Sequence, residues 1–446
     1  MELFFLSLQW LPTIFLVLIV ILSLSLLLKQ RKVKKAYNLP PSPPKLPIIG
    51  NLHQVGKLNH RSLSKLSKKY GLAMLLQLGQ MQTLVISSPQ MAKEELKTND
   101  AECCNRPILY VQQKLTYNFL TLAFCPYNDS WKNMHKIFRM ELLSKNRVQS
   151  FEKAKIAELI NYITQASPNP IELTEKGILF EIEGHKFKEF VQETMKLFGT
   201  FATLDMLPWL GGIMDASTGL PRRIEYCHHR FNSFFEMLLE DHLDPAKQSP
   251  TKEHIKAVLM DIVLGGVDTS SITIVWAMTE LVRNPRVMKK AQAEIQSFVG
   301  MKPYVDESEL ENLQYLKMVV KETLRLHPPG TLLLPHEVMS HFKIGDYDIN
   351  PETRIMINNP NDFYPERFED NAIDFRGNNF ELLSFGSGRR MCPGIDMAST
   401  VVMVTLANLL YRFDWKLPNG MKREDVSVEE SVGLNIYRKL PLYLVG

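Results

Sequence analysis

The residues of this chain that are best suited to chemistry surround Cys392. The cysteine lies in the loop Phe385-Gly386-Ser387-Gly388-Arg389-Arg390-Met391-Cys392-Pro393-Gly394, and an apolar stretch with helical spacing begins at Ile395. The glycines permit a tight turn and a close approach of backbone to a flat ligand. Pro393 suits the first position of a helix, so the helix dipole would act on Cys392. Together with Arg390, that dipole favours the thiolate, the form of cysteine that binds metals.

A thiolate with free backbone amides around it suits the fifth coordination position of a haem iron, because hydrogen bonds to the sulfur tune its electron donation. The residues alone leave a second interpretation open, a buried structural cysteine in a glycine-rich loop. The full pattern Phe-x-x-Gly-x-Arg-x-Cys-x-Gly at 385–394 resembles the signature of the cytochrome P450 superfamily. The similarity extends over nearly the whole chain and is greatest to the plant microsomal branch, family 71 and its subfamily D.

The resemblance implies a role for each residue of the loop. Cys392 would be the axial ligand of the iron of haem b, Phe385 would lie beside the sulfur, and Arg390 would meet a haem propionate. Gly388 would belong to the same cofactor-binding loop, and Gly394 would let the following helix approach the porphyrin. The implied reaction is a mono-oxygenation that uses O2 and electrons from NADPH, delivered by a membrane-bound NADPH-cytochrome P450 reductase.

A second motif, Gly265-Gly266-Val267-Asp268-Thr269-Ser270, interrupts the apolar helix predicted over 252–283. Each interior glycine costs about 1 kcal/mol relative to alanine, so a reason for the pair is expected. One explanation is a close crossing of helices. The other is a widened groove over the haem in which Asp268 and the Thr269 hydroxyl deliver protons during oxygen activation, and it matches the oxygen-activation motif of the family.

A third group is Glu322 and Arg325, which are three residues apart and therefore on one helix face. Such pairs are usually exposed ions of small energetic value. The pair resembles the Glu-x-x-Arg motif of the family, which the arginine of Pro365-Glu366-Arg367-Phe368 completes. By that resemblance Glu322, Arg325 and Arg367 stabilise the core behind the haem and take no part in catalysis.

Two positions depart from the family pattern. Trp131 matches its Trp-x-x-x-Arg motif, but His135 stands at the arginine position, and His336 stands where many relatives have arginine. The arginines are expected to bind propionates, and histidine is only partly charged near neutrality. We therefore expect Trp131, His135 and His336 to contact the cofactor, with anchoring that is weaker and more sensitive to pH.

A basic helical stripe follows Trp131. Lys132, Lys136 and Arg139 recur at i, i+4 and i+7, a pattern that most often marks a solvated face. In the family, this helix lies on the thiolate side and receives the acidic reductase. The stripe therefore predicts an electrostatic docking surface.

The first fifty residues predict a membrane anchor. Residues 3–28 carry no charge over 26 positions, more than the ~20 that a spanning helix needs, and five of residues 29–35 are basic. Since basic residues stay cytoplasmic, we expect a single pass at 1–28, with the body in the cytosol at the endoplasmic reticulum. A buried core helix is the alternative. Residues 29–50 form a basic stop and a proline-rich hinge, leaving 51–446 as one catalytic domain.

Composition supports an ordinary globular body. Of the 446 residues, 45% are hydrophobic and 22% are charged, and the net charge of +4 becomes −1 without the basic cluster. Nothing therefore indicates a nucleic-acid partner. The other four cysteines form no CxxC pair and are expected to be reduced and buried.

Periodicity predicts the fold class, mainly α with small β-sheets, as in the cytochrome P450 fold. Eight helices are expected around 128–140, 146–165, 184–203, 222–243, 252–283, 286–299, 309–327 and 395–412. Strands are expected over Leu72–Leu78 and Thr83–Ile86, and as short pieces over 331–358.

The predicted function is the hydroxylation or related oxidation of a small apolar plant metabolite, terpenoid-like or alkaloid-like. Five segments would shape its pocket, 108–120, 198–209, 262–269, 328–334 and 431–436. Two alternatives stay open. Stretches near 177–184, before 251 and over 357–361 look shortened against the family pattern, which fits an inactive or poorly folding variant. A haem-thiolate isomerase or dehydratase that needs no reductase is the other, although Asp268 and Thr269 argue against it.

Overall fold

The computed structural model describes Val17 and residues 37–56, 58–143, 171–173, 184–242, 251–357, 363–369, 371–418 and 420–446. The predicted anchor and basic cluster lie outside the described residues apart from Val17, as does the predicted helix 146–165. The three shortened stretches also fall on or beside residues that are not described.

Helices make up most of the described chain. In chain order they are α1 Asn59–Tyr70, α2 Pro89–Lys93, α3 Asp100–Cys103, α4 Tyr110–Leu115, α5 Asp129–Ile137, α6 Gly184–Phe198, α7 Thr203–Met206, α8 Pro208–Ser217, α9 Leu220–His242, α10 Lys252–Asp261, α11 Thr269–Arg283, α12 Pro285–Val299, α13 Gln314–Leu326 and α14 Ile395–Arg412. Wider π turns cover Glu94–Thr98, Phe138–Leu142 and Ile262–Asp268. Short 3-10 turns cover Leu52–Gln54, Glu307–Glu309, Pro365–Phe368, Gly388–Arg390 and Arg423–Asp425.

The strands form three small sheets. They are β1 Ala73–Leu78, β2 Met81–Ile86, β3 Ile171–Leu173, β4 His336–Glu337, β5 Phe342–Ile344, β6 Tyr347–Ile349, β7 Arg354–Ile357 and β8 Leu442–Leu444. The largest sheet has the order β1-β2-β7-β4, in which β2 and β7 are parallel and the other pairs are antiparallel. The remaining strands pair as β3 with β8 and β5 with β6.

The core is built around α11. Its residues Ser270–Val282 are all buried, because α12, α13 and α14 pack around it. Each partner presents an apolar face at helical spacing. In α12 this face is Val287, Ala291 and Ile295, and Pro285 at the first position starts the helix. A second cluster joins α4, α6 and α9 to the other side of α11.

The stretch Lys252–Arg283 is also long and apolar enough to cross a membrane. About half of its most apolar window is buried inside the protein, which fits a core helix. The proline segment 38–45 contains no helix or strand longer than a single bridge, as expected from its fixed φ angles. It contacts the body, since the Leu75 amide donates to the Pro41 carbonyl at 2.8 Å.

The predicted class, mainly α with small sheets, is confirmed, and the helices around 252–283, 286–299 and 395–412 agree to within one residue. The helix expected from 309 is wrong at its start. Asp306 and Glu309 form a capping box that closes a separate 3-10 turn, so α13 begins only at Gln314. Helix α8 was not predicted, because its exposed Trp209 and Ile213 give no core-facing pattern.

Candidate active site

The loop before α14 is a tight turn that requires glycine. Gly386 and Gly388 both have a φ of +71°, which other residues rarely adopt. A Cβ on Gly388 would lie 2.3 Å from the Leu96 carbonyl oxygen. The Cys392 amide donates to the Phe385 carbonyl at 3.0 Å and closes the loop. The sulfur is therefore presented from a backbone that has little freedom.

The helix starts later than expected. Gly394 is the N-cap and α14 begins at Ile395, so the prediction of Pro393 as the first helical residue is wrong by two positions. The Gly394 amide still donates a hydrogen bond to the Cys392 sulfur and lowers its pKa. Burial is the larger effect and raises the pKa of the thiol. A positive partner such as a metal ion is what favours a thiolate in such a place.

Arg390 does not act on that sulfur. Its guanidinium lies 4.5 Å from the Trp131 ring centroid, and its Nε donates to the Cys104 carbonyl at 2.8 Å. Both Nη atoms are buried, and neither has an acceptor among the described residues. Burial lowers the pKa of Arg390 to about 10. A buried cation with unused donors indicates a site for an anion.

Arg106 is a second buried arginine near Arg390, and no motif in the sequence marked it. Its Nη1 donates to the carbonyls of Leu334 and Pro335 at 2.8 and 2.9 Å. Burial, and then the positive charge of Arg390, lower its pKa. Two like charges held together in a protein interior strengthen the case for an anionic ligand.

His135 stacks on Trp131, with ring centroids 4.9 Å apart. Burial lowers the pKa of His135, and the nearby Arg139 and Arg390 lower it further. It is therefore neutral above pH 7. The Trp131 indole donates to the Leu122 carbonyl at 3.1 Å, so this donor is already used. His135 therefore gives the site little positive charge above neutral pH.

His336 is buried and pairs with a carboxylate. Its Nδ1 lies 2.8 Å from Oε1 of Glu95, which is completely buried. This partner could not be predicted from the sequence, because Glu95 lies in a charged run that is typical of an exposed surface. A propionate contact by His336 would have to use the other ring nitrogen.

The glycine pair lies in the π turn Ile262–Asp268, which widens the helix between α10 and α11. Hydroxyl groups bind the carbonyls at this turn. Thr269 Oγ1 donates to the Gly265 carbonyl at 2.6 Å, and Ser270 Oγ donates to that of Gly266 at 2.7 Å. A Cβ on Gly265 would meet nothing within 4 Å, so this side faces open space.

Asp268 is buried and points away from the Thr269 hydroxyl. Its Oδ2 accepts hydrogen bonds from Asn435 Nδ2 at 2.7 Å and from the Tyr437 hydroxyl at 2.6 Å. The structure therefore places Asp268 and Thr269 on adjacent positions but gives their side chains different partners. Asn435 falls within the predicted pocket segment 431–436, and Tyr437 lies one residue beyond it.

The structure brings Glu322, Arg325 and Arg367 together. Arg325 binds the completely buried Glu322 through two nitrogens at 2.8 and 3.0 Å. Arg367 Nε lies 3.1 Å from both carboxylate oxygens, and the Tyr364 amide donates to Oε1 at 2.6 Å. These contacts join α13 to the 3-10 turn Pro365–Phe368.

Comparison with known proteins decides the family. The model of the family described as Cytochrome P450 matches residues 40–440. The chain is 42% identical to Cytochrome P450 71B35 of Arabidopsis thaliana, over 98% of this chain and 97% of that protein. It is 41% identical to Cytochrome P450 71B26 and 40% identical to Cytochrome P450 71B10 of the same plant, with at least 93% of every chain covered. This chain belongs to the cytochrome P450 family.

As a cytochrome P450, the chain is a haem-dependent mono-oxygenase that uses O2. The comparisons show family 71 but not the subfamily. These relatives carry subfamily B names, whereas the sequence resembled subfamily D. The alignment to the first relative covers 491 positions and the chain has 446 residues, so that relative contains segments that this chain lacks. The comparisons give no support to the two alternative functions.

The described residues of this cytochrome P450 fit a haem. The buried, partner-free Nη atoms of Arg390 suit a propionate. The open side of Gly265 leaves room for a flat ring beneath the π turn. The Cys392 sulfur, buried and bonded to one amide, is the donor type that haem iron accepts.

Proposed function

We propose that this cytochrome P450 hydroxylates or similarly oxidises a small apolar plant metabolite, terpenoid-like or alkaloid-like, at the endoplasmic reticulum membrane. In this proposal Cys392 would bind the iron of haem b, and electrons would come from NADPH through the membrane-bound reductase. One oxygen atom of O2 enters the product. The other leaves as water with two protons, and NADPH supplies the two electrons. The observation that carries the proposal is the partly buried Cys392 in its glycine-bounded loop, together with the buried Nη atoms of Arg390 that have no acceptor among the described residues.

Residues of the cysteine loop and of the π turn would have separate roles in the reaction. When bound, a thiolate-ligated haem supplies an oxidant strong enough to attack C–H bonds. Arg390 would bind a propionate, and Phe385 would shield the sulfur from solvent. Asp268 and Thr269 would deliver protons during oxygen activation. Phe385 is partly buried and its ring lies 5.3 Å from that of Phe375, so it is fixed in place.

The reaction class can be tested with labelled dioxygen. The full chain, reconstituted in lipid with a plant reductase, is expected to insert labelled oxygen into an apolar terpenoid or alkaloid only when NADPH is present. Product formed without NADPH would indicate the isomerase or dehydratase instead. Protein that takes up no haem would indicate the inactive variant.

Replacing Asp268 with asparagine is expected to lower the turnover rate about 100-fold, the lower end of what general acid catalysis contributes. Tyr437→Phe removes one of the hydrogen bonds to the Asp268 carboxylate. Its turnover rate should therefore fall by less than that of Asp268→Asn, together with the product formed per NADPH. Turnover and haem absorption would be measured together. Ser270→Ala is the matched control, since its hydroxyl lies one residue further along and binds a backbone carbonyl. Equal losses in all three variants would contradict the proton-delivery role.

Reversing the charges of Lys132 and Lys136 is expected to slow reductase-dependent turnover at low salt. Both residues are exposed on α5, and Lys132 pairs with the still more exposed Asp129 at 2.9 Å. Attraction between surface charges is screened by salt, so the difference from wild type should shrink as salt is added. Lys68→Glu with Lys69→Glu on α1 makes the same change in net charge elsewhere. Unchanged turnover at low salt would exclude docking on this face.

A further inference from the structure

Leu122 and Ala123, in the loop before α5, have both their backbone N–H groups and their carbonyl groups hydrogen-bonded to other parts of the protein. The amides of both residues donate to the carboxylate of Asp261, with 3.3 Å between the Ala123 nitrogen and Oδ1. The Leu122 carbonyl accepts from the Trp131 indole at 3.1 Å, and the Ala123 carbonyl accepts from Arg106 Nε at 3.0 Å. Both N–H groups and both carbonyls of these residues therefore have a protein partner.

The surroundings of this carboxylate are mostly apolar. Leu122, Trp131 and Phe138 form a small cluster, against which Val258 and Ile262 pack from either side of Asp261 along its helix. Within the described part of the chain, no lysine or arginine pairs with Asp261, and only backbone amides stabilise its charge. A carboxylate without a cation in such a place is costly, so a definite function is expected of it.

We propose that Asp261 is a positioning residue that holds residues 121–125 against the end of α10 and so sets how far this side of the substrate pocket opens. Asp261 lies one turn before Gly265, whose open side faces the proposed haem position. The inference uses the proposed function only in treating this space as the substrate pocket.

The attachments of the loop are shared with the proposed haem site. Trp131 also carries Arg390 over its ring at 4.5 Å, and Arg106 also binds the carbonyls of Leu334 and Pro335. Movement of residues 121–125 would therefore release groups that face the cofactor. The position of the loop is coupled to the pocket by direct contacts.

Four titratable or charged groups face this place from the elements around it. Cys125 on the loop interacts with Asp261 itself, and Arg106 binds the loop through the Ala123 carbonyl. His135 and Arg390 reach the loop through Trp131, on whose ring both lie. Burial raises the pKa of Asp261 to about 7, and the two amides lower it by less. The pKa of an aspartate in water is near 3.8. The closed loop therefore binds a proton that the open loop has lost.

The sign of the pH effect follows from this difference. Closure is most stable at low pH and weakens as pH rises towards 7, after which it stays constant. For these two pKa values the open fraction is expected to rise about tenfold between pH 6 and pH 8. Asparagine cannot titrate, so the Asp261→Asn variant is expected to show no such rise.

Hydrogen exchange of the Leu122 and Ala123 amides measures this opening directly. The haem-loaded full chain in lipid nanodiscs would be followed by mass spectrometry at pH 6, 7 and 8, with correction for intrinsic exchange rates. Asp205→Asn is the matched control, because burial also raises the pKa of Asp205 and its carboxylate accepts the Tyr110 amide at 3.0 Å. The control should keep the tenfold rise. A flat wild-type profile, or an equal rise in Asp261→Asn, would overturn the proposal.

If Asp261→Asn does not fold, the wild-type pH series and the Trp131→Phe variant still test whether Asp261 controls the opening of residues 121–125. Loss of the indole donor should raise the open fraction about fivefold at every pH, the value of one ordinary hydrogen bond, and leave the pH slope unchanged. A slope that disappears in Trp131→Phe would assign the effect to α5 and its His135, and would exclude Asp261. Exchange requires no turnover, so failure of the proposed reaction leaves this result interpretable.

Discussion

Replacing Cys392 with alanine is expected to abolish mono-oxygenase turnover and the thiolate-type absorption band of the reduced, carbonyl-bound protein. The sulfur is buried, bonded to the Gly394 amide and fixed by the Cys392–Phe385 backbone hydrogen bond, so no other group of the loop can replace it. Electron donation from sulfur is what favours O–O cleavage. Absorption spectra and labelled-oxygen incorporation, measured on the same preparation, check the prediction.

Haem binding and haem ligation can be separated in this experiment. Arg390 offers donors to a propionate that do not depend on the sulfur, so Cys392→Ala can retain some haem with an altered spectrum. Cys227→Ala is the control, because Cys227 is a completely buried cysteine that lies in the cluster of α4, α6 and α9. A thiolate spectrum that persists without Cys392 would show that the ligand has been misassigned.

Replacing Glu322 with glutamine is expected to lower the free energy of unfolding by about 3–5 kcal/mol, the usual result of removing one partner of a buried ion pair. Glu322 is completely buried and binds both Arg325 and Arg367, and both guanidiniums would lose this carboxylate as a partner. Since protein domains are stable by only about 5–15 kcal/mol, much of the variant should fail to fold. Denaturant titration followed by circular dichroism and by haem absorption measures the loss.

An exposed ion pair provides the comparison. Glu429 and Lys439 lie 2.8 Å apart with about 60% of each side chain exposed, so Glu429→Gln should leave the midpoint of the titration unchanged. If Glu322→Gln folds with the wild-type midpoint, the three residues do not stabilise the core. A loss of activity in a normally folded variant would instead indicate a direct role in catalysis.

Much of the fold could be predicted because its core helices have an apolar face that repeats along the chain. For α12 and α14 the predicted bounds agree with the observed ones to within one residue. Pro285 and Gly394 help because they mark where these two helices begin. The start of α13 could not be predicted in this way, because a reciprocal capping contact at Asp306 and Glu309 outweighs the helical pattern. The short α8 exposes its apolar residues, so no core-facing pattern marked it.

The candidate site was predictable where a motif is continuous in sequence. The cysteine loop and the glycine pair were found from spacing alone, and the family resemblance supplied their roles. Glu95 beside His336, Arg106 beside Arg390 and Tyr437 beside Asp268 were not found. Each of these partners comes from a distant part of the chain, where its residue type alone looks ordinary.

The sequence by itself determined that the fold is mainly helical and that one cysteine lies in a distinctive glycine loop, because glycine spacing and apolar periodicity are local properties. The resemblance of that loop to the cytochrome P450 signature supplied the family. Only the tertiary structure decided how the charges are compensated. Among the residues that the structure describes, Arg390 has no anionic partner, Glu95 pairs with His336, and Asp261 has backbone amides alone. The reason is physical: the cost of a buried charge depends on neighbours that folding brings from elsewhere in the chain.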